Sequence, residues 1–171
     1  MAITLNGTTG ITSPDINVTA QTTGFTTTGN LTAADLTLSG GVYLGGTGSA
    51  NYLDDYEEGS WTPVSVGTSV GITSSYSRYT KIGNYVIANS EITIAANSNN
   101  NQVRISLPIA LGASVADGGF VRYSNSNLAM PYIVGNASNT DMVVYNSAGG
   151  ALTFVSLSGK RFDFTIIYKV N

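Results

Sequence analysis

The sequence predicts an all-β protein in two parts. An extended, fibrous β arm spans 1–50, and an antiparallel, jelly-roll-like β-sandwich head spans 64–171. An acidic linker at 51–63 joins them. Three observations lead there. Charged residues make up only 10% of the 171 residues, against about 25% in an ordinary soluble domain. Polarity is carried instead by Thr, Ser, Asn and Gly, which suit strands and tight turns. The second half alternates apolar and polar residues with period two. No window of three helical turns has a convincing apolar stripe.

Within the arm a small unit recurs: apolar, any residue, apolar, then a polar or glycine turn. It appears as ITLNG at 3–7, INVTA at 16–20, LTLSGG at 36–41 and VYLGG at 42–46. Each reads as a very short strand, at spacing too irregular for a solenoid. Burying one such side chain is worth roughly 1.5–3 kcal/mol. Ordering each backbone residue costs roughly 1–2 kcal/mol. One chain alone therefore gains little by ordering this arm, whereas several identical chains wound round a common axis bury the same residues against each other. The alternative is a flexible Thr/Gly arm that orders on a partner.

The head offers longer strands. QVRISLPI at 102–109 places Val103, Ile105 and Leu107 on one face. RFDFTIIYKV at 161–170 places Phe162, Phe164, Ile166, Tyr168 and Val170 on one face, with Ile167 the exception on the other. NYVIANSEITIAA at 84–96 reads as one bent strand with a bulge near Asn89. Shorter candidates are WTPVSVG, GGFVRYS, MPYIVGN, DMVVYNS and ALTFVSL. Between them lie turn clusters such as NSNNN at 97–101, NSN at 125–127 and SAGG at 147–150. About eight strands with frequent turns predict a sandwich.

Composition also excludes chemistry. Cysteine and histidine are both absent, so there is no disulfide framework, no Cys-ligated metal and no Ser-His-Asp or Cys-His machinery. The seven Lys and Arg are scattered rather than clustered, which argues against nucleic-acid binding. No apolar run approaches the roughly 18 residues of a membrane helix, so no membrane insertion is expected. The start, MAITLNGTTG, carries no signal-peptide pattern.

The linker NYLDDYEEGSWTP concentrates Asp54, Asp55, Glu57 and Glu58 beside Trp61, the only tryptophan. A glycosidase pair would place two carboxylates about 5–9.5 Å apart across a sugar, but a second acidic cluster to face this one is missing from the sequence. A Ca²⁺ loop would need EF-hand spacing, which is also missing. The expected reading is a structural collar of Asp54, Asp55, Glu57, Glu58 and Trp61. YLDDYEE would form about two helical turns with acids near the positive end, and Gly59 would end them. No catalytic residue, cofactor or metal ligand is assigned. In the head, Tyr123 with Asn125 and Asn127, and Tyr145 with Asn146, lie near turns. They are candidate glycan contacts or ordinary packing residues. Arg78, Lys81, Arg104 and Arg122 form a loose basic patch or solvate the outer face.

GGVYLGGTGSANYLDDYEEGSWTP at 40–63, followed by YSRYTKIGNYVIA at 76–88, resembles a module of tailed-bacteriophage virion proteins. Those are commonly described as tail-fibre or other structural proteins. In them an LDDYEEG…WTP segment joins a fibrous part to a β-rich head that opens on a Y-x-K-I-G-N strand, here Tyr79, Lys81, Ile82, Gly83 and Asn84. The resemblance covers about a third of the chain. It implies a non-enzymatic virion protein, a homotrimer whose arm attaches to other virion proteins of tail or capsid. Its role would be that of a short tail fibre or tail-associated protein in attachment to a host surface, whose partner is a host glycan. A capsid decoration (cement) protein is the alternative; a polysaccharide depolymerase or a free carbohydrate-binding module are the rivals from other classes.

Overall fold

The computed structural model describes residue 30 and residues 34–38, 40–112, 118–127, 132–136 and 140–170. The arm units at 3–7 and 16–20 lie outside these residues. The chain divides between Thr37 and Leu38, and every strand named below belongs to the second unit, Leu38–Asn171.

Two short strands come first. β1 (Val42–Tyr43) pairs antiparallel with β2 (Tyr52–Leu53) across a 3-10 turn at Ser49–Asn51. The strand expected at 42–46 is present, and its partner lies in the same chain. The described residues of 36–41 form no strand, and Leu36 and Leu38 are exposed.

Eight further strands are β3 (Tyr56–Ser60), β4 (Ile72–Ile82), β5 (Tyr85–Ile94), β6 (Arg104–Ser106), β7 (Gly118–Ser124), β8 (Tyr132–Gly135), β9 (Asp141–Tyr145) and β10 (Arg161–Lys169). They form one antiparallel sheet in the order β3-β4-β5-β10-β7-β8-β9-β6. The all-β expectation holds. The two leaves of a sandwich, however, are here one continuous ladder. β10, last in sequence, pairs with β5 on one side and β7 on the other, so it joins the strands that would otherwise form separate sheets.

The sheet curls until one segment touches both ends. After Ser60 the chain leaves β4 and runs to β6. The Val66 amide donates to Arg104 O (3.0 Å) and the Ser106 amide to Val64 O (2.9 Å). Ser65 forms a lone bridge with Ile105. Such closure covers an otherwise unpaired edge of β6. WTPVSVG is thus extended, but its pairing is confined to this bridge.

The concave face is the core. Val86, Ala88, Ile92 and Ile94 of β5 meet Phe162, Phe164, Ile166 and Tyr168 of β10. Val103, Ile105, Ile133, Met142 and Phe154 complete it, all buried. Every inward residue expected of 102–109 and 161–170 is there, and Ile167 is exposed as its position requires. Period-two alternation succeeds because one face of these strands is dry and the other wet.

Two elements differ from expectation. Asn89 sits in unbroken register between Arg78 and Thr165, accepting a 2.7 Å hydrogen bond from Thr165 Oγ1. The bulge falls instead on β4, between Ser74 and Tyr76. ALTFVSL is a strand in neither half: Ala151 and Thr153 make isolated bridges, then Phe154–Leu157 is a 3-10 turn. Three residues per turn aim both Phe154 and Leu157 into the core.

Candidate functional site

The linker that was expected to coil is a strand. Among the described residues of 51–63 there is a 3-10 turn ending at Asn51, then β2 and β3. The reason is that β4 offers a long unpaired edge. β3 zips onto it with Tyr56 opposite Ile82, Glu57 opposite Lys81 and Gly59 opposite Tyr79.

A strand sends successive side chains to opposite faces, so Glu57 and Glu58 diverge. Glu57 accepts from the Tyr79 hydroxyl and Glu58 from the Tyr56 hydroxyl. Both phenols are held above their usual pKa, first by those hydrogen bonds to a carboxylate. Asp55 pairs with Lys81, and its main-chain oxygen accepts from the Gly83 amide at 2.7 Å. Asp54 is exposed. Two of the four carboxylates, Asp55 and Glu57, therefore tie this segment to β4, while Glu58 bonds within β3, and no group of three acids among the described residues could hold a metal ion.

Trp61 is half-buried against the core, and its indole donates to Ser106 O at 3.3 Å. It stands where β3 parts from β4. Beyond that point β4 carries the bulge and a run of serines. Ser74 Oγ meets Ser77 Oγ at 2.6 Å, and Ser77 Oγ meets buried Ser90 Oγ at 2.7 Å. Ser75, the extra residue of the bulge, turns its hydroxyl to Glu91.

The parting strands leave a hollow of about 270 Å³ lined by Ser60, Trp61, Thr62, Ser75, Tyr76 and Arg78, among others. A second, of about 470 Å³, shares Tyr76 and Arg78 and adds Glu58 and Thr80. Tyr76 is 50% exposed. Arg78 is exposed, and among the described residues it makes no ion pair or side-chain hydrogen bond. By contrast Lys81 holds Asp55, Arg104 clasps buried Asp141 through two bonds of 2.7 and 2.8 Å, and Arg161 holds Glu91 and Asp163. The four cations read as a loose patch are thus divided: Lys81 and Arg104 are structural, Arg78 lines the hollows, and Arg122 is exposed on β7.

The expected glycan contacts fall in two places. Tyr123 lies under the Arg161 guanidinium, 5.3 Å from its ring centre. Asn125 accepts from the Arg161 amide at 2.8 Å, and Asn127 is exposed. Tyr145 stacks on Tyr132 at 5.4 Å and 10°. Asn146 uses its side-chain oxygen on the amides of Ala148 and Gly150, at 3.0 and 2.9 Å, and so shapes its own turn. The Asn-rich loop at 97–101 is likewise occupied with itself. Asn97 accepts from the Asn99 amide, and Asn99 from the Asn101 amide. Tyr76, Ser60 and Thr62 had no signal in the sequence beyond their place beside WTP and before Y-x-K-I-G-N.

No protein-family model, curated protein or solved structure matches the chain.

Proposed function

We propose that this protein is a structural component of a tailed-bacteriophage virion, a homotrimeric short tail fibre or tail-associated protein that helps the particle attach to a host surface. The observation that carries the reading is the relation between the two motifs of the resemblance. LDDYEEG (53–59) and Y-x-K-I-G-N (79–84) are separated in sequence, yet they are one piece of structure. Glu57 holds Tyr79, Asp55 holds Lys81, and the Asp55 main chain holds Gly83. Motifs bonded to each other have a physical reason to occur together.

Further support comes from the segment before β3. Leu38, Val42, Tyr43, Leu44 and Tyr52 are exposed in the single chain, and burial against identical neighbours is favourable at roughly 25 cal/mol per Å².

Quantitative mass spectrometry of purified particles tests the role. A few tens of copies or fewer support a tail position, hundreds indicate the capsid decoration alternative, and absence from the particle overturns both. Light scattering of the isolated protein should give three times the chain mass; a monomer overturns the trimer.

A further inference from the structure

We infer that the hollow between β3 and β4 binds a carboxylate-bearing sugar, a uronate unit of an acidic polysaccharide. The choice of an extracellular glycan rests on the attachment reading; the site itself rests on three features of the hollow.

The first is a guanidinium with nothing to do. Arg78 is without an acidic partner among the described residues, while Lys81, Arg104 and Arg161 each have one. A planar guanidinium offers paired donors that fit a carboxylate in a fork. Glu58 lines the neighbouring hollow but makes no ion pair with Arg78. Glu91, opposite Tyr76 in the ladder, is already held by Arg161 and Ser75. The free positive charge therefore faces the smaller hollow, where Arg78 is the one charged residue.

The second is the aromatic lining. Tyr76 is half-exposed, and Trp61, half-buried against the core, lines the same hollow. Aromatic rings with an apolar face and a polar tip suit ligands that are apolar on one side and wet on the other, as the C–H face of a pyranose is. The third is uncommitted hydroxyls. Ser60 and Thr62 line the same hollow and make no side-chain hydrogen bond among the described residues. They can exchange water for sugar hydroxyls at little cost.

Size limits the ligand. A volume of about 270 Å³ lies just below the range of roughly 300–1,000 Å³ for drug-sized ligands. One sugar ring fits there, and a second reaches the neighbouring hollow past Arg78. Phosphate chains of a nucleic acid would want several cations, and this hollow has one.

The test uses the full chain in solution and needs no label, because Trp61 is the only tryptophan and lines the site. Digalacturonate should change its fluorescence with a Kd on the order of 1 mM, and galactobiose and sodium acetate should each bind at least about tenfold more weakly. Arg78→Gln should weaken digalacturonate binding about tenfold with an unchanged melting temperature. Tyr76→Ala should weaken it several-fold. No response to digalacturonate, an equal response to acetate or galactobiose, or wild-type affinity in Arg78→Gln overturns the proposal. None of these results bears on copy number in the particle, so the virion reading stands or falls separately.

Discussion

Trp61 donates its indole N–H to the main-chain oxygen of Ser106, forty-five residues further along, at 3.3 Å. The bond links the end of β3 to β6, the strand at the far end of the sheet order. Beside it, Ser106 Oγ accepts from the Val64 amide at 3.0 Å. One short stretch therefore holds both ends of the curled sheet. Trp61→Phe keeps an aromatic ring against the core and removes the donor. It should cost about 0.5–1.5 kcal/mol, read as a lower urea midpoint by circular dichroism. A midpoint equal to wild type would show that the indole bond does not hold the closure.

Which parts of this were legible beforehand follows from what each strand buries. β10 and the segment 103–107 around β6 declared themselves because their inward residues are all apolar: Phe162, Phe164, Ile166 and Tyr168, and Val103, Ile105 and Leu107. β4 did not, because its inward face carries Ser77, Tyr79 and Lys81, each satisfied by a polar partner outside β4: Ser90, Glu57 and Asp55. A face whose polarity is cancelled by neighbours far away in sequence has no local signature. The same blindness turned YLDDYEE into an expected helix: its acids looked like a capped turn, whereas three of them serve partners on β3 and β4. Since β4 was read only from its Y-x-K-I-G-N end, the hollow beside Tyr76 and Arg78 was invisible too. The turn at Gly83–Asn84 falls where the sequence reading places strand. Gly83 adopts φ +55°, as two-residue hairpin turns require.

Gly59 has no room for a side chain. A Cβ there would lie 2.5 Å from the Tyr79 ring, which packs on the core and reaches Glu57. Gly59→Ala should displace that ring and break its bond to Glu57, costing about 1–3 kcal/mol as overpacking does. The check is a thermal melt of the single variant beside Gly59→Ala with Tyr79→Ala. Removing the ring should recover part of the loss caused by the new methyl group. Additive losses would place the clash elsewhere.

Arg104 and Asp141 are the most consequential ion pair among the described residues. Asp141 is 1% exposed, and the guanidinium meets both its oxygens. Those bonds hold Arg104 above its ordinary pKa, against the opposing pull of desolvation. Surface pairs are worth about 0–1 kcal/mol, whereas stranding a buried charge costs about 3–5. Among the described residues, Arg104→Met leaves the Asp141 carboxylate with only the long bonds from Asn136 Nδ2, 3.4 and 3.5 Å. It should therefore lose about 3 kcal/mol in urea unfolding. Arg104→Met with Asp141→Leu should recover most of that, because no buried charge then remains.

Tyr168 should make stability fall at alkaline pH. Its side chain is buried, its hydroxyl donates to Ile109 O at 2.9 Å, and the Ile109 amide donates back at 3.3 Å. Burial is the largest influence and pushes the phenol well above its ordinary value of 10.0. A folded pKa above the unfolded one means that the unfolded chain gives up its proton first. The contribution to stability is complete below about pH 10 and disappears as pH rises through the folded value. Tyr79 acts in the same direction through its bond to Glu57, so Tyr168→Phe should flatten the alkaline slope without abolishing it. At pH 7 the variant should be less stable by about 1–2 kcal/mol, the cost of leaving the Ile109 groups without their partner. Urea midpoints measured from pH 7 to 11 should therefore converge for variant and wild type at the alkaline end. Parallel curves would show that the Tyr168 hydroxyl ionises equally in both states.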